Sequence, residues 1–420
     1  MRTRKPFTIP KQLLWEAYKA VKSNKGAAGV DGQNIEEFDK NIGKNLYKIW
    51  NRMSSGTYFP KAVREVLIPK GDGKYRPLGI PTITDRIAQM AVVIRMNREI
   101  DKIFHENSYG YRPNKSAIQA VGITRKRCWR YKWVIDLDIK GFFDNIDHEL
   151  LMKAVRKHIE EKWILIYIER WLKSPVQKSD GILQSREKGT PQGGVVSPIL
   201  ANLFLHYAFD MWIVRNYPNF RFIRYADDCI VHCTTLEEAK ILKDLIAKRL
   251  RSCKLVLHPG KTKIVCCIPD RRKQENVENK FDFLGYTFRT RRVKVKNKQS
   301  FISFLPAVSE RSKKKLRNRL KQLKIPRKVN YKLEEIANEM NPIIRGWMNY
   351  FKHYYKSEMK ETLRYVNDLL LKWIRKRSKK YITRKRRAIN LLKIIARQNP
   401  NMIEHWKLGI IKCAWAIRAV

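Results

Sequence analysis

Two acidic segments hold the residue types best able to do chemistry. Tyr225-Ala226-Asp227-Asp228 lies between the apolar runs Phe222-Ile223 and Ile230-Val231, which predicts a hairpin with adjacent carboxylates at its tip. Such a pair repels itself unless a cation sits there, and Mg²⁺ suits one or two carboxylates completed by substrate phosphates. One Asp-Asp pair alone is weak evidence, because turns favour Asp for backbone reasons. Here a second acidic strand precedes it, Val134-Ile135-Asp136-Leu137-Asp138-Ile139, followed by Phe142-Phe143-Asp144. Two acidic strand ends can hold two metal ions about 4 Å apart, clamping both oxygens of an in-line phosphoryl transfer. The pattern implies a template-copying polymerase.

On this reading Asp138 and Asp227 face one another across adjacent strands and hold two Mg²⁺ ions, with Mn²⁺ an acceptable substitute. Asp228 joins them as a catalytic and metal-binding carboxylate. A polymerase also needs a triphosphate clamp. Lys70 and Arg76 flank a Gly-Asp-Gly hairpin centre and suit the neutralisation of β- and γ-phosphates. Phe143, five residues beyond Asp138, is bulky where a ribose 2′-hydroxyl would otherwise fit. Gln192, in Pro191-Gln-Gly-Gly194, can hydrogen-bond while the glycines permit close approach of substrate. Arg224 and Tyr225 read as packing and template contacts, His148 and His258 as local hydrogen-bonders. Cys229, His232 and Cys233 do not suit zinc, because 229 and 233 share a strand face and 232 points away.

The elements that must position these groups follow from periodicity and turn chemistry. Residues 11–22 are predicted helical, with a glycine-rich turn over 24–32. Strand 62–69 leads to the Gly-Asp-Gly hairpin, then helix 84–100, strand 133–139 and a helix from His148. The turn at 189–194 opens a long helix to about 214, the acidic hairpin follows, and Thr235-x-x-Glu238 forms a capping box. Short strands are expected at 254–257, 264–267 and 281–288. This order suggests a ferredoxin-like split βαβ palm. Beyond 305 the expectation is helices near 308–323, 331–352, 359–379 and 385–397.

Charge narrows the partners. Lys and Arg total 89 against 39 Asp and Glu, a net of +50 that self-repels unless a polyanion neutralises it. Interleaved aromatics favour nucleic acid over acidic lipid. Residues 291–420 alone carry 36 basic and 8 acidic side chains. The clusters 311–318 and 375–387, including Lys313, Lys314, Lys315, Arg317, Arg375 and Arg377, are expected to contact RNA beside Trp347, Tyr350 and Trp373. Seven cysteines without a Cys-x-x-Cys pair argue against a disulfide framework and fit a reducing cytoplasm. No apolar h-region follows the basic N-terminus, and the uncharged run 189–209 is interrupted by prolines, so neither signal peptide nor membrane span is expected.

These blocks in this order resemble the reverse transcriptases of bacterial group II introns, which double as splicing maturases. Glu65-Val-Leu-Ile-Pro-Lys70, Arg76-Pro-Leu-Gly-Ile-Pro81 and Ser108-Tyr-Gly-Tyr-Arg-Pro113 are similar to the finger blocks of that family. Motifs A, B and C correspond to Asp138–Asp144, Gly189–Pro198 and Tyr225–Asp228. His258-Pro-Gly-Lys-Thr262 resembles motif D, which makes Lys261 an acid for the pyrophosphate leaving group. Phe283-Leu284-Gly285-Tyr286 resembles the primer grip, and Asn341-Pro-Ile-Ile-Arg345-Gly-Trp347-Met-Asn-Tyr350 the thumb, so Arg345 and Trp347 join the RNA-binding set. Asn24–Gly32 fits the family's N-terminal extension.

The resemblance implies a right-hand α+β polymerase: an extension and start of fingers over 1–60, fingers and palm over 61–290, an all-α basic thumb over 305–383, and a short basic segment over 384–420. It implies copying of intron RNA from a DNA primer at a target DNA and assistance to splicing. Many members end in an endonuclease bearing cysteine pairs. None stands near Val420, so a protein without that nuclease is expected. Two other readings fit the same blocks: a domesticated relative in phage defence or repair, and an RNA-binding splicing cofactor with polymerisation unused.

Overall fold

The computed structural model describes residues 5–69, 73, 75–268, 278–293 and 300–413. In chain order the helices and strands are α1 (Lys11–Ser23), α2 (Ile35–Asp39), α3 (Ile42–Ser54), β1 (Val63–Pro69), β2 (Tyr75–Ile80), α4 (Ile83–Ile103), α5 (Ala117–Cys128), β3 (Trp133–Leu137), α6 (Phe142–Asn145), α7 (His148–Arg156), α8 (Lys162–Lys173), β4 (Val176–Gln177), β5 (Leu183–Gln184), α9 (Ser197–Leu205), α10 (Met211–Asn216), β6 (Arg221–Tyr225), β7 (Asp228–Cys233), α11 (Leu236–Ser252), β8 (Lys263–Cys266), β9 (Lys280–Phe283), β10 (Tyr286–Val293), β11 (Phe301–Val308), α12 (Glu310–Gln322), α13 (Leu333–Phe351), α14 (Lys356–Arg377) and α15 (Lys385–Gln398). They form two compact units, Met1–Ala120 with Val134–Ile264, and Val121–Trp133 with Val265–Val420.

In the first unit the central sheet has the order β6-β7-β3-β8. With β3-helix-β6-β7-helix-β8 as the chain order, this is the expected ferredoxin-like arrangement. Val134, Ile135, Ile223, Ile230 and Val231 are completely buried, so these strands are apolar on both faces and lack alternation. A second sheet, β2-β1-β4-β5, carries the β1–β2 hairpin. The turn at 24–32 is structural: Arg86 donates to the carbonyls of Pro81 and Ala27 and ties that turn to the start of α4. Thr235 and Glu238 form the capping box expected at the start of α11. Only an isolated bridge, Ile139 to Leu257, stands where a strand was expected at 254–257.

The last strand of the second unit, β11, runs a few residues into the stretch expected as an all-α thumb from 305. An antiparallel sheet, β11-β10-β9, precedes its helices. The short basic segment expected from 384 packs into this unit as far as it is described. Helix α15 lies on α14, and the Asn341 side chain donates to the Met402 carbonyl at 2.8 Å and accepts from the Glu404 amide at 3.0 Å. Asn367 Oδ1 accepts from Trp406 Nε1 at 2.9 Å and lies 2.8 Å from His405 Nε2. Burial holds the His405 imidazole neutral, its pKa lowered to about 3.

Candidate active site

The acidic hairpin is a two-residue loop. Tyr225 pairs with Asp228, leaving Ala226 and Asp227 at the turn. Ala226 has φ 56°, a left-handed value that costs a residue with a Cβ and has to be imposed by its surroundings. Those surroundings are specific. Gly110 packs so closely that a Cβ there would lie 2.3 Å from the Ala226 nitrogen. The chain before it runs beside β6, Tyr109 N donating to Arg224 O at 2.8 Å and Arg224 N to Asn107 O at 2.9 Å.

Arg224 is not a template contact. It is 1% exposed and paired with the fully buried Asp210 through Nε (2.8 Å) and Nη2 (2.5 Å). Its Nη1 donates to Asn202 Oδ1 at 2.9 Å and to the Ala226 carbonyl at 3.1 Å. Asn202 in turn donates to Gly110 O at 2.6 Å. Asp210 reaches this position because a π-helical turn, His206–Asp210, interrupts the rod from α9 to α10.

Phe143 is 7% exposed, its ring edge-on to Phe142 with centroids 5.3 Å apart. The glycine-rich turn docks on this segment: Thr190 N donates to Phe143 O and Gly189 N to Ile146 O, both at 2.7 Å. His148 Nε2 lies 2.7 Å from Gly189 O, the local role expected of it. On its other side Gly79 N donates to Gln192 O at 2.8 Å. Gly193, at φ 121°, lets Gly79 O come within 2.5 Å of where a Cβ would stand. Side chains repeat the link, Arg76 Nε donating to Gln192 Oε1 at 2.5 Å and Gln192 Nε2 to both Asp144 oxygens at 3.3 Å. Two predicted nucleotide-binding residues, Arg76 and Gln192, are thus in contact. Lys70 lies outside the described residues.

Burial raises the Asp227 carboxyl above its ordinary range and Asp138 adds to the rise, while the turn's own backbone and Arg76 oppose it. The Tyr111 phenol is raised by desolvation first and by Asp227 second. This tyrosine was not among the expected site residues, although it sits within the finger block at 108–113. Lys261 Nζ lies 3.3 Å from Asp138 Oδ2, and Asp138 N lies 3.3 Å from Thr262 Oγ1. The pair Asp138 and Asp227, costly to ionise together, has the donor chemistry of a divalent cation site. Asp228, the first residue of β7, follows Asp227 directly; among the described residues no three His, Cys, Asp or Glu side chains form a cluster. One or two carboxylates leave the other positions of a hard cation to substrate oxygens.

Within the second unit, Leu284 and Gly285 form the two-residue turn between β9 and β10, with φ 49° and 81°. Leu284 O accepts from Tyr350 Oη at 2.7 Å and Gly285 O from Ser312 Oγ at 3.0 Å, and Phe283 is buried. The expected RNA-binding set divides. Lys313 is buried and paired with Glu310 and Glu358, so it is a structural cation. Arg345 is committed to Glu404 through Nε (2.9 Å) and Nη2 (2.6 Å), and Trp347 packs on Phe351. Lys314, Lys315 and Arg317 are exposed. Arg375 and Arg377 donate to the carbonyls of Ile382 and Tyr331.

A ferredoxin-like sheet with Asp138 just past the end of β3 and Asp227 in the β6–β7 turn, in a unit that also holds a glycine-rich turn in contact with the β1–β2 hairpin, has the architecture of the palm and fingers of a template-directed polymerase. The chain belongs to the reverse transcriptase (RNA-dependent DNA polymerase) family, which residues 68–288 match. Residues 313–400 match the group II intron, maturase-specific domain. The protein YkfC of Escherichia coli is 33% identical over 315 residues, 66% of this chain and 80% of that protein. The group II intron-encoded protein LtrA of Lactococcus lactis is 34% identical over 208 residues, 48% of this chain and 33% of that protein. A telomerase structure from Candida albicans is a looser likeness, with TM-score 0.43 and 12% identity over 92% of this chain and 68% of that one. The chain is thus an RNA-directed DNA polymerase joined to a maturase-specific domain, of a family that works on RNA templates with divalent metal ions. Among the described residues no helix is long and apolar enough to cross a membrane.

Proposed function

We propose that this polymerase copies a group II intron RNA from a DNA primer at a target DNA, and that its maturase-specific domain holds the same RNA to assist splicing. Asp138 and Asp227 would hold two Mg²⁺ ions, or Mn²⁺ in their place. Ions held by these carboxylates would supply Lewis acidity toward the primer 3′-hydroxyl and charge neutralisation at the reacting phosphate. The observation that carries the reading is the placing of these two carboxylates at the ends of neighbouring strands of one sheet, with Lys261 Nζ 3.3 Å from Asp138 and Arg76 bonded to Gln192 of the glycine-rich turn. Arg76, with Lys70 beside it in sequence, neutralises the triphosphate tail, and Gln192 orients it. Lys261 would lend a proton to the departing pyrophosphate, a role its ion pair with Asp138 supports. The turn Phe283-Leu284-Gly285 serves the primer end. The protein would work in the cytoplasm, bound to nucleic acid.

Primer extension on an RNA template, with Mg²⁺ and with a chelator, tests the polymerase reading. Extension that survives the chelator would sink the metal assignment. The retained carboxylates, Arg76 and Gln192 speak against a splicing cofactor whose polymerisation is unused.

Two expected results follow from particular side chains. Phe143→Ala should open space beside the sugar and raise ribonucleotide incorporation relative to deoxyribonucleotide by about an order of magnitude. Removing a buried ring also costs about 3–5 kcal/mol, so a folding check accompanies it. Unchanged discrimination in the folded variant would make Phe143 a core residue only.

Changing Lys314, Lys315, Arg317 and Arg319 together to glutamine should weaken intron RNA binding and splicing assistance more than extension on a short, saturating primer–template. The log–log salt slope of binding should become shallower by about 0.7–0.9 for each phosphate that is no longer neutralised. An unchanged slope with splicing intact would mark that helix face as merely solvated.

A further inference from the structure

The second unit contains an aromatic groove that nucleotide addition does not use. It measures about 370 Å³ and is lined by Arg125, Trp129, Val293, Phe301, Ser303 and Leu305. Trp129 and Phe301 are each 51% exposed, whereas Trp373 and Trp406 of the same unit are buried. Trp129 is nonetheless held in place, its Nε1 donating to the Phe304 carbonyl at 3.0 Å. The Arg125 guanidinium stacks over Trp129 at 4.7 Å from the ring centroid and over Tyr354 at 5.4 Å. Arg125 Nε is buried without a hydrogen-bond partner, and among the described residues no carboxylate pairs with this arginine. The cation is therefore fixed by stacking while its hydrogen-bonding capacity is unspent.

A groove with two open rings, an uncommitted guanidinium and no acidic lining suits a flat π-system joined to an anion. An unpaired nucleobase with its phosphate is that ligand, and aromatic platforms beside arginine are how proteins hold single strands. The volume falls in the range of small-molecule clefts. The surrounding field has the matching sign, since Arg125, Lys126 and Arg127 close α5 and Arg130 and Lys132 follow. RNA is the favoured strand because the maturase-specific domain lies in this same unit.

We propose that this groove binds an unpaired base of single-stranded RNA, with Trp129 and Phe301 as its stacking surfaces and Arg125 on the adjoining phosphate. The proposal rests on the reading of this unit as RNA-binding and sharpens it, assigning a looped-out or unpaired segment to the groove and leaving helical RNA to the basic helix faces.

The test measures binding by the full chain of a short fluorescent single-stranded RNA, the same strand in a duplex, the same strand with its bases removed, and a DNA strand of the same sequence. Phe301→Ala is the main variant, because that ring is half exposed. Arg125→Gln and Trp129→Phe accompany it, the latter keeping a ring where Ala would leave a gap. Phe301→Ala should weaken the single-stranded RNA about tenfold and leave the duplex within about twofold, and the abasic strand should bind wild type as weakly as the intact strand binds the variant. Trp129→Phe should retain most of the affinity. Equal losses on strand and duplex would reduce the groove to general charge. A larger loss on DNA than on RNA would overturn the choice of ligand. Undiminished single-strand binding by Phe301→Ala, with wild type still binding intron RNA, would strike out the groove and leave the maturase reading standing. Failure of wild type to bind any of the RNAs would overturn both.

Discussion

Asp227→Asn should lower primer extension by about three to four orders of magnitude, since metal-based charge stabilisation supplies several kcal/mol and each 1.36 kcal/mol is tenfold in rate. The fold should not suffer. Burial and the nearby Asp138 raise the Asp227 carboxyl, so the folded chain binds that proton more tightly than the unfolded chain does. Without metal, stability then falls as pH rises from the ordinary carboxylate range through the raised value. Asparagine removes that penalty, and Tm without metal should be equal or higher at neutral pH. Added Mg²⁺ should raise the Tm of wild type and not of the variant, because only a site that binds the ion in the folded state gains by mass action. RNA affinity should stay within a few fold, because the basic surface is untouched. Near-wild-type extension, or an unchanged Mg²⁺ response of Tm, would remove Asp227 from the metal site.

The strands that bear these carboxylates were legible because their signals are local. Phe222-Ile223 and Ile230-Val231 around a two-residue acidic tip allow little but a hairpin, and β6 and β7 pair through Tyr225 and Asp228. What local signals miss is set by distant partners. Residues 301–308 form β11 against β10, from Val293–Phe301 to Tyr286–Val308, in a stretch that Pro306 and the basic helices beyond make hard to recognise as strand. Lys313 is a different lesson. A basic run suggests a solvated face, yet 313, 316 and 320 share one helical stripe. All three are buried, and Glu358 of α14 supplies the counter-charge. The apolar spacing of Trp163, Ile164, Tyr167, Ile168, Trp171 and Leu172 specifies α8 outright, though no helix was expected there. The Arg224 partner was the least visible. Asp210 stands at the end of a long uncharged run, and nothing in a 3.6-residue period announces the π-helical turn that aims it at β6.

That buried pair leads to the second large effect. Asp210→Ala should destabilise the first unit by about 3–5 kcal/mol, the usual cost of leaving one charge of a buried pair uncompensated. Arg224 would keep only neutral acceptors, Asn202 Oδ1 and the Ala226 carbonyl. Unfolding of the full chain in urea should report the loss. A second measurement separates stability from positioning. Replacing both partners by apolar residues, Arg224→Met with Asp210→Leu, removes the buried charges, and such replacements are often neutral or stabilising. The double variant should therefore recover most of the stability. It should not recover activity, because the bond from Arg224 Nη1 to the Ala226 carbonyl is what holds the turn bearing Asp227. A displacement of about 1 Å there can cost about 100-fold in rate. The loss should appear in kcat with the KM for nucleotide nearly unchanged, since Arg76 and Gln192 lie on other elements. If the double variant regains full extension together with stability, the pair is a core stabiliser only, and the left-handed Ala226 is held by Gly110 and the strand ladder without it.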